Sequence, residues 1–254
     1  MRVEQIFFKN NLRNFSYLIV FDDGAIYCID PHNSLEIKAH LGTKKLSGII
    51  NTHDHWDHHQ GNADLVAVYN CPVYSHPNAV IQNKNPLHDG DIVYRNEMWS
   101  LETLFTPGHT LSHICLLLKK DGQPYAVFTG DCFFNAGVGN CHNGGDPEIL
   151  FATIHDIFKA FPDDLLVYPG HEYLKRNLEF TMNIEADNKD AENFLDKIKD
   201  LDLNETFFIN NMLLERKINT FLRLQNPTIK SKFNNKNGSE KEIFVTLREL
   251  RNKW

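Results

Sequence analysis

Short β-type segments separated by turn residues fill the chain from Val3 to about Phe128. Asp-Gly dipeptides at Asp23-Gly24 and Asp121-Gly122 each stand between two apolar segments. The paired segments are Phe15–Val20 with Ala25–Ile29, and Ile114–Leu118 with Tyr125–Thr129. Because Asp-Gly suits the tight turn of a hairpin, the sequence predicts two β-hairpins.

Helical patterns first interrupt these strands and then replace them. Between the strands the helical stretches are Ser34–Leu41, Ala63–Val68 and Pro147–Phe161, and Leu165–Tyr168 is a last buried strand. After Glu172, aliphatic residues recur at helical spacing through 174–184, 191–201 and 211–224, with no convincing strand. The pattern predicts a mixed domain over 1–173 followed by a helical domain over 174–254.

A last helix, Lys241–Lys253, follows a polar loop at 234–240. Ser239 with Glu242 three residues later forms the pattern of a capping box, in which each side chain bonds the backbone of the other. The apolar residues of this helix are expected on one buried face: Ile243, Leu247, Leu250 and Trp254.

The composition fits a globular protein with a small-molecule partner. The 254 residues are 42% hydrophobic, which is enough for a sizeable core, and the net charge is −7. A negative chain offers no basic surface for nucleic acid or for an anionic membrane. No exposed apolar heptad argues for assembly, so we expect a monomer.

Cysteine usage and the N-terminus favour a cytoplasmic location. The five cysteines are odd in number and form no CxxC pair, so a complete disulfide framework is excluded and a reducing compartment fits best. The first residues lack the apolar run of a signal peptide, and no stretch approaches the roughly 18 apolar residues of a membrane span.

The segment THDHWDH at 52–58, directly after the apolar run 46–51, places four metal-ligand side chains within six residues. These are His53, His55, Asp57 and His58. In extended chain, residues i and i+2 point the same way, so His53 and His55 can reach one cation while the turn that follows directs Asp57 and His58 to a second.

Three more ligand-type residues each follow a glycine at a predicted strand end: His109 in TPGHT, Asp131 in FTGDC and His171 in YPGHEY. Glycine allows close approach of the backbone, and strand ends are where a sheet scaffold presents functional groups. Two neighbouring residues, Asp54 and His59, are expected to face solvent, and His113 is expected to pack beside the site rather than to bind metal.

This motif set resembles the metallo-β-lactamase superfamily over residues 1–173. The resemblance implies an α+β fold, an αββα sandwich with two metal ions at one edge where the sheets meet. It also implies the ligands: His53, His55 and His109 for the first metal; Asp57, His58 and His171 for the second; Asp131 as the bridge. Zinc is the expected metal, and iron or manganese stay open because these donors accept all three.

Such a site explains hydrolysis without a serine or cysteine nucleophile. Two divalent ions sharing a water lower its pKa from about 15.7 toward 7 and polarise a carbonyl, so esters, thioesters, lactones and amides are all within reach. Asp57 and Asp131 are the candidate catalytic residues, Asp57 as the ligand that orients the nucleophile.

Within the superfamily, the sequence resembles glyoxalase II over nearly the whole chain. The likeness rests on FTPGHTLSHICLLL, on PGHEYLKRNLEF and on ERKINTFLR followed by TLRELRNK. It implies a thioesterase that cleaves S-D-lactoylglutathione, with Tyr173, Arg248 and Arg251 contacting glutathione. In the loop after Asp131, Asn140 stands where that family has a cation and His142 about where it has an aromatic residue.

Other interpretations stay open at this point. The altered loop at 138–145 is compatible with a lactonase or an acyl-thioester hydrolase that does not use glutathione. A sulfur dioxygenase with a single iron ion would need no second set of metal ligands, whereas this chain has a second set in Asp57, His58 and His171. A catalytically silent binding protein would be expected to lose ligands, and none of the seven is missing.

Overall fold

A computed structural model describes residues 1–233 and 238–254. The predicted polar loop at 234–240 therefore lies partly outside the described residues. The first sheet contains six strands: β1 Arg2–Phe7, β2 Phe15–Val20, β3 Ile26–Ile29, β4 Gly48–Ile50, β5 Val73–Ser75 and β6 Lys84–Pro86.

A second sheet also contains six strands, in the order β14-β13-β10-β9-β8-β7. Their bounds are β7 Ile92–Arg95, β8 Trp99–Phe105, β9 Ile114–Lys120, β10 Gln123–Gly130, β13 Leu166–Pro169 and β14 Asn210–Asn211. A small hairpin, β11 Phe133–Phe134 with β12 Gly137–Val138, follows β10.

Eight α-helices lie among the described residues. They are α1 Ser34–Leu41, α2 Asn62–Tyr69, α3 Pro147–Asp156, α4 Leu174–Ile184, α5 Lys189–Ile198, α6 Met212–Ile218, α7 Pro227–Lys232 and α8 Glu240–Lys253. Short 3₁₀ helices occur at Trp56–His58, Phe158–Ala160 and Thr220–Leu222. None of the described helices has the length and apolar character of a membrane span.

The two sheets pack face to face between helical layers, which confirms the αββα sandwich. In β9, Ile114, Leu116 and Leu118 point into the core between the sheets, while Cys115 and Leu117 join the outer core with the helices. Both faces of this strand are buried, so its apolar residues run without interruption, as expected for a central strand. Helices α1 and α2 cover the first sheet, and α3 and α8 cover the second.

The predicted hairpins and several helix ends are confirmed. Asp121 and Gly122 both have positive φ, which is the backbone of the tightest hairpin turn. The predicted bounds of α1 and α4 agree with the structure, and the capping box of Ser239 and Glu242 is present.

The C-terminal region departs from the sequence expectation in three places. A short strand, β14, pairs with β13, although no strand was expected after Glu172. The expected helix at 211–224 ends at Asn219, whose side chain caps the following 3₁₀ turn. In α8 the buried face consists of Ile243, Phe244, Leu247 and Arg248, whereas Leu250 and Trp254 are exposed.

Candidate metal centre and adjoining cavity

Seven side chains that the sequence predicts as metal ligands converge at one edge of the sandwich, where strands of both sheets end. His53 and His55 follow β4, Asp57 and His58 lie in the 3₁₀ turn after them, His109 follows β8, Asp131 follows β10, and His171 follows β13. All are buried except His55, which is half-buried. The fold therefore brings these side chains together because the strands that precede them end at the same edge of the sandwich, as the sequence predicts.

Three histidines form the first group, and their inner ring nitrogens face one another. His55 Nδ1 lies 3.1 Å from His53 Nε2 and 3.0 Å from His109 Nε2. The outer nitrogens contact oxygen acceptors: His109 Nδ1 donates to the carbonyl of Asn140 at 2.6 Å, and His55 Nε2 to that of Asn143 at 3.1 Å.

Asp57, His58 and His171 form the second group. The Nε2 atoms of the two histidines are 3.1 Å apart, and Asp57 Oδ2 lies 3.5 and 3.6 Å from them. His58 Nδ1 contacts Asp30 Oδ2 at 3.0 Å, and His171 Nδ1 donates to the Leu12 carbonyl at 2.8 Å. Each ring is thus oriented from its outer side.

Asp131 lies between the two groups. Its Oδ2 is 3.0 Å from His171 Nε2 and 3.6 Å from His109 Nε2, and its Oδ1 is buried without a hydrogen-bond partner among the described residues. A Cβ on Gly170 would stand 2.4 Å from that Oδ1, so only glycine lets the β13 end come this close.

The inner nitrogens present lone pairs toward one another. A carbonyl oxygen can only accept, so His109, His55 and His171 must carry their protons on the outer nitrogens. In a neutral ring the inner nitrogen then has no hydrogen. The lone pairs of His109 Nε2 and His55 Nδ1 therefore face each other at 3.0 Å and repel unless a cation lies between them, so the first group fits a metal ion.

The electrostatics of the groups agree with a site for cations. Burial lowers the pKa of His53 well below its ordinary value and that of His109 to about 4, which keeps both rings neutral, the form that binds metal. Burial opposes the ionisation of Asp131, but His171 and His58 hold the pKa of that carboxyl well below its usual range. At neutral pH Asp131 is therefore ionised.

Sequence reasoning missed most groups that orient these ligands. Asp30 accepts from Thr52 and contacts His58, and its position at the end of β3 carried the same strand-end signal as the ligands. Asn14 donates to Asp57 Oδ2 at 2.8 Å, and no pattern marked it. Backbone carbonyls supply the rest, and any residue type can provide those.

Two neighbouring residues received different outcomes. Asp54 was expected to face solvent, but it is half-buried and accepts hydrogen bonds from Val80 N at 2.8 Å and Ser112 Oγ at 3.3 Å. The expectation was wrong because the loop carrying Val80 folds over the motif. His113 is fully buried and stacks on His53 with ring centroids 5.2 Å apart, so it packs beside the site as expected.

A cavity of about 220 Å³ adjoins the second group and brings together the five predicted substrate contacts. Its lining is Phe134, Val138, Asn140, His142, Tyr173, Arg176, Asn177, Arg248, Arg251 and Asn252. Three arginines and no carboxylate line it. Tyr173 connects the cavity to the cluster, because its ring stacks on His171 with centroids 5.0 Å apart.

The lining residues differ in how freely they can meet a ligand. Asn140 and His142 are exposed at the rim, and Arg251 donates to Asn177 at 3.1 Å. Arg248 is buried, with Nη1 donating to the carbonyls of Val138 and Gly139 at 2.7 and 3.1 Å. Burial and the neighbouring Arg251 lower the pKa of Arg248 to about 9.

Comparisons with known proteins agree with this geometry. Residues 12–171 match the family described as Metallo-beta-lactamase superfamily, and residues 172–254 match Hydroxyacylglutathione hydrolase C-terminus. ETHE1 from Myxococcus xanthus has a similar fold, with a TM-score of 0.68 and 21% identity over 98% of this chain and 97% of that one. The fold and the cluster thus define a metallo-β-lactamase superfamily hydrolase.

Curated relatives narrow the class further. Hydroxyacylglutathione hydrolases from Nitrosococcus oceani and a Polaromonas species are 40% and 38% identical, each over the full length of both chains. The corresponding protein of Dictyostelium discoideum is 29% identical over 96% of this chain and 97% of its own. The chain belongs to the hydroxyacylglutathione hydrolase family, known as glyoxalase II.

Proposed function

We propose that this protein hydrolyses S-D-lactoylglutathione to D-lactate and glutathione. The observation that carries the proposal is the pair of candidate ligand groups beside a cavity lined by three arginines. Water adds its oxygen to the acyl carbon, the C–S bond breaks, and the released thiol belongs to a carrier with two carboxylates. Full-length similarity to hydroxyacylglutathione hydrolases supports this choice of substrate.

The ligand assignment is part of the proposal. His53, His55 and His109 would hold one divalent ion, Asp57, His58 and His171 would hold the other, and Asp131 lies between the two groups. Zinc is the proposed metal, with iron and manganese as alternatives; TTHA1623, which has been crystallised in a di-iron-bound form, has a TM-score of 0.54 and 26% identity over 66% of this chain. When bound, such ions lower the pKa of a water and polarise the thioester carbonyl.

The residues of the chain then have distinct tasks. Asp57 is fixed by Asn14, and although burial opposes its ionisation, His58 and Asn14 hold its pKa below the ordinary value. It can therefore accept a hydrogen bond from the attacking water and orient it. Asp131, also ionised, lies close to a histidine of each group, His109 and His171, and can bind cations held by both groups. The thiolate is a good leaving group, so its departure needs no strong acid.

Carrier binding is assigned to the cavity. Arg248 and Arg251 line it, neither has an ion pair with a carboxylate among the described residues, and Arg–carboxylate contacts are strong and directional. Tyr173 seats the thiol side next to His171, and Asn140 and His142 form the rim. In this scheme residues 1–173 carry the chemistry and 174–254 bind the carrier.

The working unit is proposed to be one chain, because the sequence has no apolar heptad that would favour assembly. A cytoplasmic location is proposed from the cysteines, whose five thiols are all free.

The test compares three substrates on metal-loaded protein: S-D-lactoylglutathione, a simple lactone and a simple acyl-CoA. Loss of the thioester absorbance should be fastest with the glutathione substrate, and metal analysis should give close to two ions per chain. Asp57→Ala should lower turnover far more than it weakens substrate binding. A preference for the lactone would replace the proposal with a lactonase, and stoichiometry fixed at one ion would remove the binuclear scheme.

A further inference from the structure

Arg248 of α8 is an unusual cation for its surroundings. It is 5% exposed, and among the described residues no carboxylate lies within ion-pair distance of it. Its partners are the carbonyls of Val138 and Gly139, the Asn252 side chain at 3.2 Å and the face of Phe221. Burying a charge costs desolvation free energy unless the charge is paired or hydrogen-bonded. Here two backbone carbonyls replace the carboxylate that would usually pair with a buried arginine, and this arrangement requires an explanation.

The two carbonyls belong to a segment that supports the first histidine group. Asn140, the next residue, accepts the hydrogen bond from His109 Nδ1 at 2.6 Å. Gly139 N donates to the Cys132 carbonyl at 3.2 Å, directly after Asp131. A Cβ on Gly139 would lie 1.9 Å from the Asp131 carbonyl oxygen, so the segment is packed tightly against the site.

We infer that Arg248 is a positioning residue for the metal centre: through the carbonyls of Val138 and Gly139 it fixes residues 138–140, which orient His109. The helical region thereby reaches the first metal site as well as the carrier. This inference rests on the proposed ligand set and goes beyond the role that the resemblance to glyoxalase II implies for Arg248, which is contact with glutathione.

The test is metal affinity, measured by competition of Zn²⁺ with a chromophoric chelator. In Arg248→Met the shape of the stem is kept and the donors are lost, so the ion held by His53, His55 and His109 should dissociate about tenfold more readily. This is the lower end of the effect expected when groups behind a metal-bound histidine are removed. Arg248→Lys can donate to one carbonyl and should fall between wild type and Arg248→Met.

Two control variants separate the positioning role from a general effect of charge. Lys253→Met removes an exposed charge from the same helix and should leave zinc affinity unchanged. Arg251→Met removes the neighbouring cation of the cavity and should raise KM without changing zinc affinity. Circular dichroism and thermal melting establish that each variant is folded; if Arg248→Met is not, Arg248→Lys decides.

A second readout follows the histidine directly. With Co²⁺ in the site, the N–H protons of bound histidines are shifted in the proton spectrum, and those of Arg248→Met should include one that exchanges faster with solvent than in wild type. If both Arg248 variants keep wild-type zinc affinity and exchange rates and only KM rises, the inference is overturned. Wild-type protein that binds no transition metal would instead remove the proposed function.

Discussion

Glu215 of α6 is a fully buried carboxyl group that supports the hairpin after Asp131. Its oxygens accept hydrogen bonds from Ala136 N at 2.8 Å, Asn210 Nδ2 at 2.6 Å and Asn219 Nδ2 at 3.1 Å. Burial raises the pKa of Glu215 to about 7 from an ordinary 4.5, and the three donors only partly oppose that shift. Replacing it with glutamine should therefore change how the free energy of unfolding depends on pH.

The direction follows from proton binding. Between the unfolded pKa of 4.5 and the folded pKa of about 7, the folded chain keeps a proton that the unfolded chain has lost. The group stabilises the fold fully at low pH, and this stability is lost as pH rises through 7. Going from pH 5 to pH 8, the ionisation of Glu215 should lower the free energy of unfolding by roughly 2–3 kcal/mol.

Glutamine cannot ionise, so Glu215→Gln should lack this loss. We expect the difference in unfolding free energy between wild type and Glu215→Gln to change by roughly 2–3 kcal/mol in favour of the variant from pH 5 to pH 8. Urea unfolding of both proteins at each pH provides the measurement, with metal removed in every sample. The histidines of the cluster titrate in both proteins, so their contributions cancel in the difference.

The matched control is Glu249→Gln, which makes the same change on the exposed face of α8. A difference for Glu215→Gln that stays constant across the pH range, or that moves in favour of wild type, would refute the reasoning and show that the three donors hold Glu215 ionised. The denaturant slopes must stay equal, since a changed slope would indicate a different unfolded state.

Three further predictions concern the site. Asn14→Ala removes the amide that donates to Asp57 and should lower zinc affinity or turnover by about tenfold to a hundredfold, measured by chelator competition and steady-state kinetics. Unchanged zinc affinity and turnover would mean that Asp57 does not depend on this hydrogen bond for its orientation. Gly139→Ala places a Cβ 1.9 Å from the Asp131 carbonyl oxygen and should destabilise the fold by about 1–3 kcal/mol or more, measured by thermal melting. In Gly144→Ala the added Cβ has no atom within 4 Å, so this variant tests the effect of a positive φ alone. Arg176 is exposed at the cavity and has no ion pair among the described residues. Arg176→Met should raise KM for S-D-lactoylglutathione about tenfold, which is more than the adjacent Lys175→Met should. The same variant should have little effect on KM for a thioester without carboxylates.

Long apolar segments were the part of the fold that the sequence could predict. Strands β2 and β9 and helix α1 have clear apolar patterns with turn or cap residues at their ends, so their positions could be predicted. Helix α4 was predicted from its apolar spacing alone. The two-residue strand β14 exists because it pairs with β13, and such tertiary pairing leaves no local pattern.

The face of α8 shows a second limit. Leu250 and Trp254 lie at helical spacing with Ile243 and Leu247, yet they are exposed while Arg248 is buried. The apolar pattern groups residues by hydrophobicity, so it could not indicate that a charged residue would be buried on this helix. Arg248 is buried because two backbone carbonyls at the end of β12 need its donors, and a sequence cannot show where such carbonyls will lie.

For the site, residue chemistry identified the ligand candidates but not the groups that orient them. Histidine and aspartate at strand ends are recognisable because few other residue types bind metal. His109 and His171 are oriented by the carbonyls of Asn140 and Leu12, and every residue offers a carbonyl. Those contacts became visible only with the three-dimensional arrangement of residues 12–14 and 138–143.

This distinction bears on the loop at 138–145, where the side chains depart from the pattern of glyoxalase II. The loop contacts the candidate metal centre through the main-chain carbonyls of Asn140 and Asn143, which accept hydrogen bonds from His109 and His55. Its side chains at 140 and 142 point to the exposed rim of the cavity. A substitution there can remove a cation from the carrier site without disturbing either histidine. Under the proposed function, we therefore expect the departures in this loop to change carrier affinity, and metal binding to depend on the path of its backbone, which Gly139 and Arg248 contact.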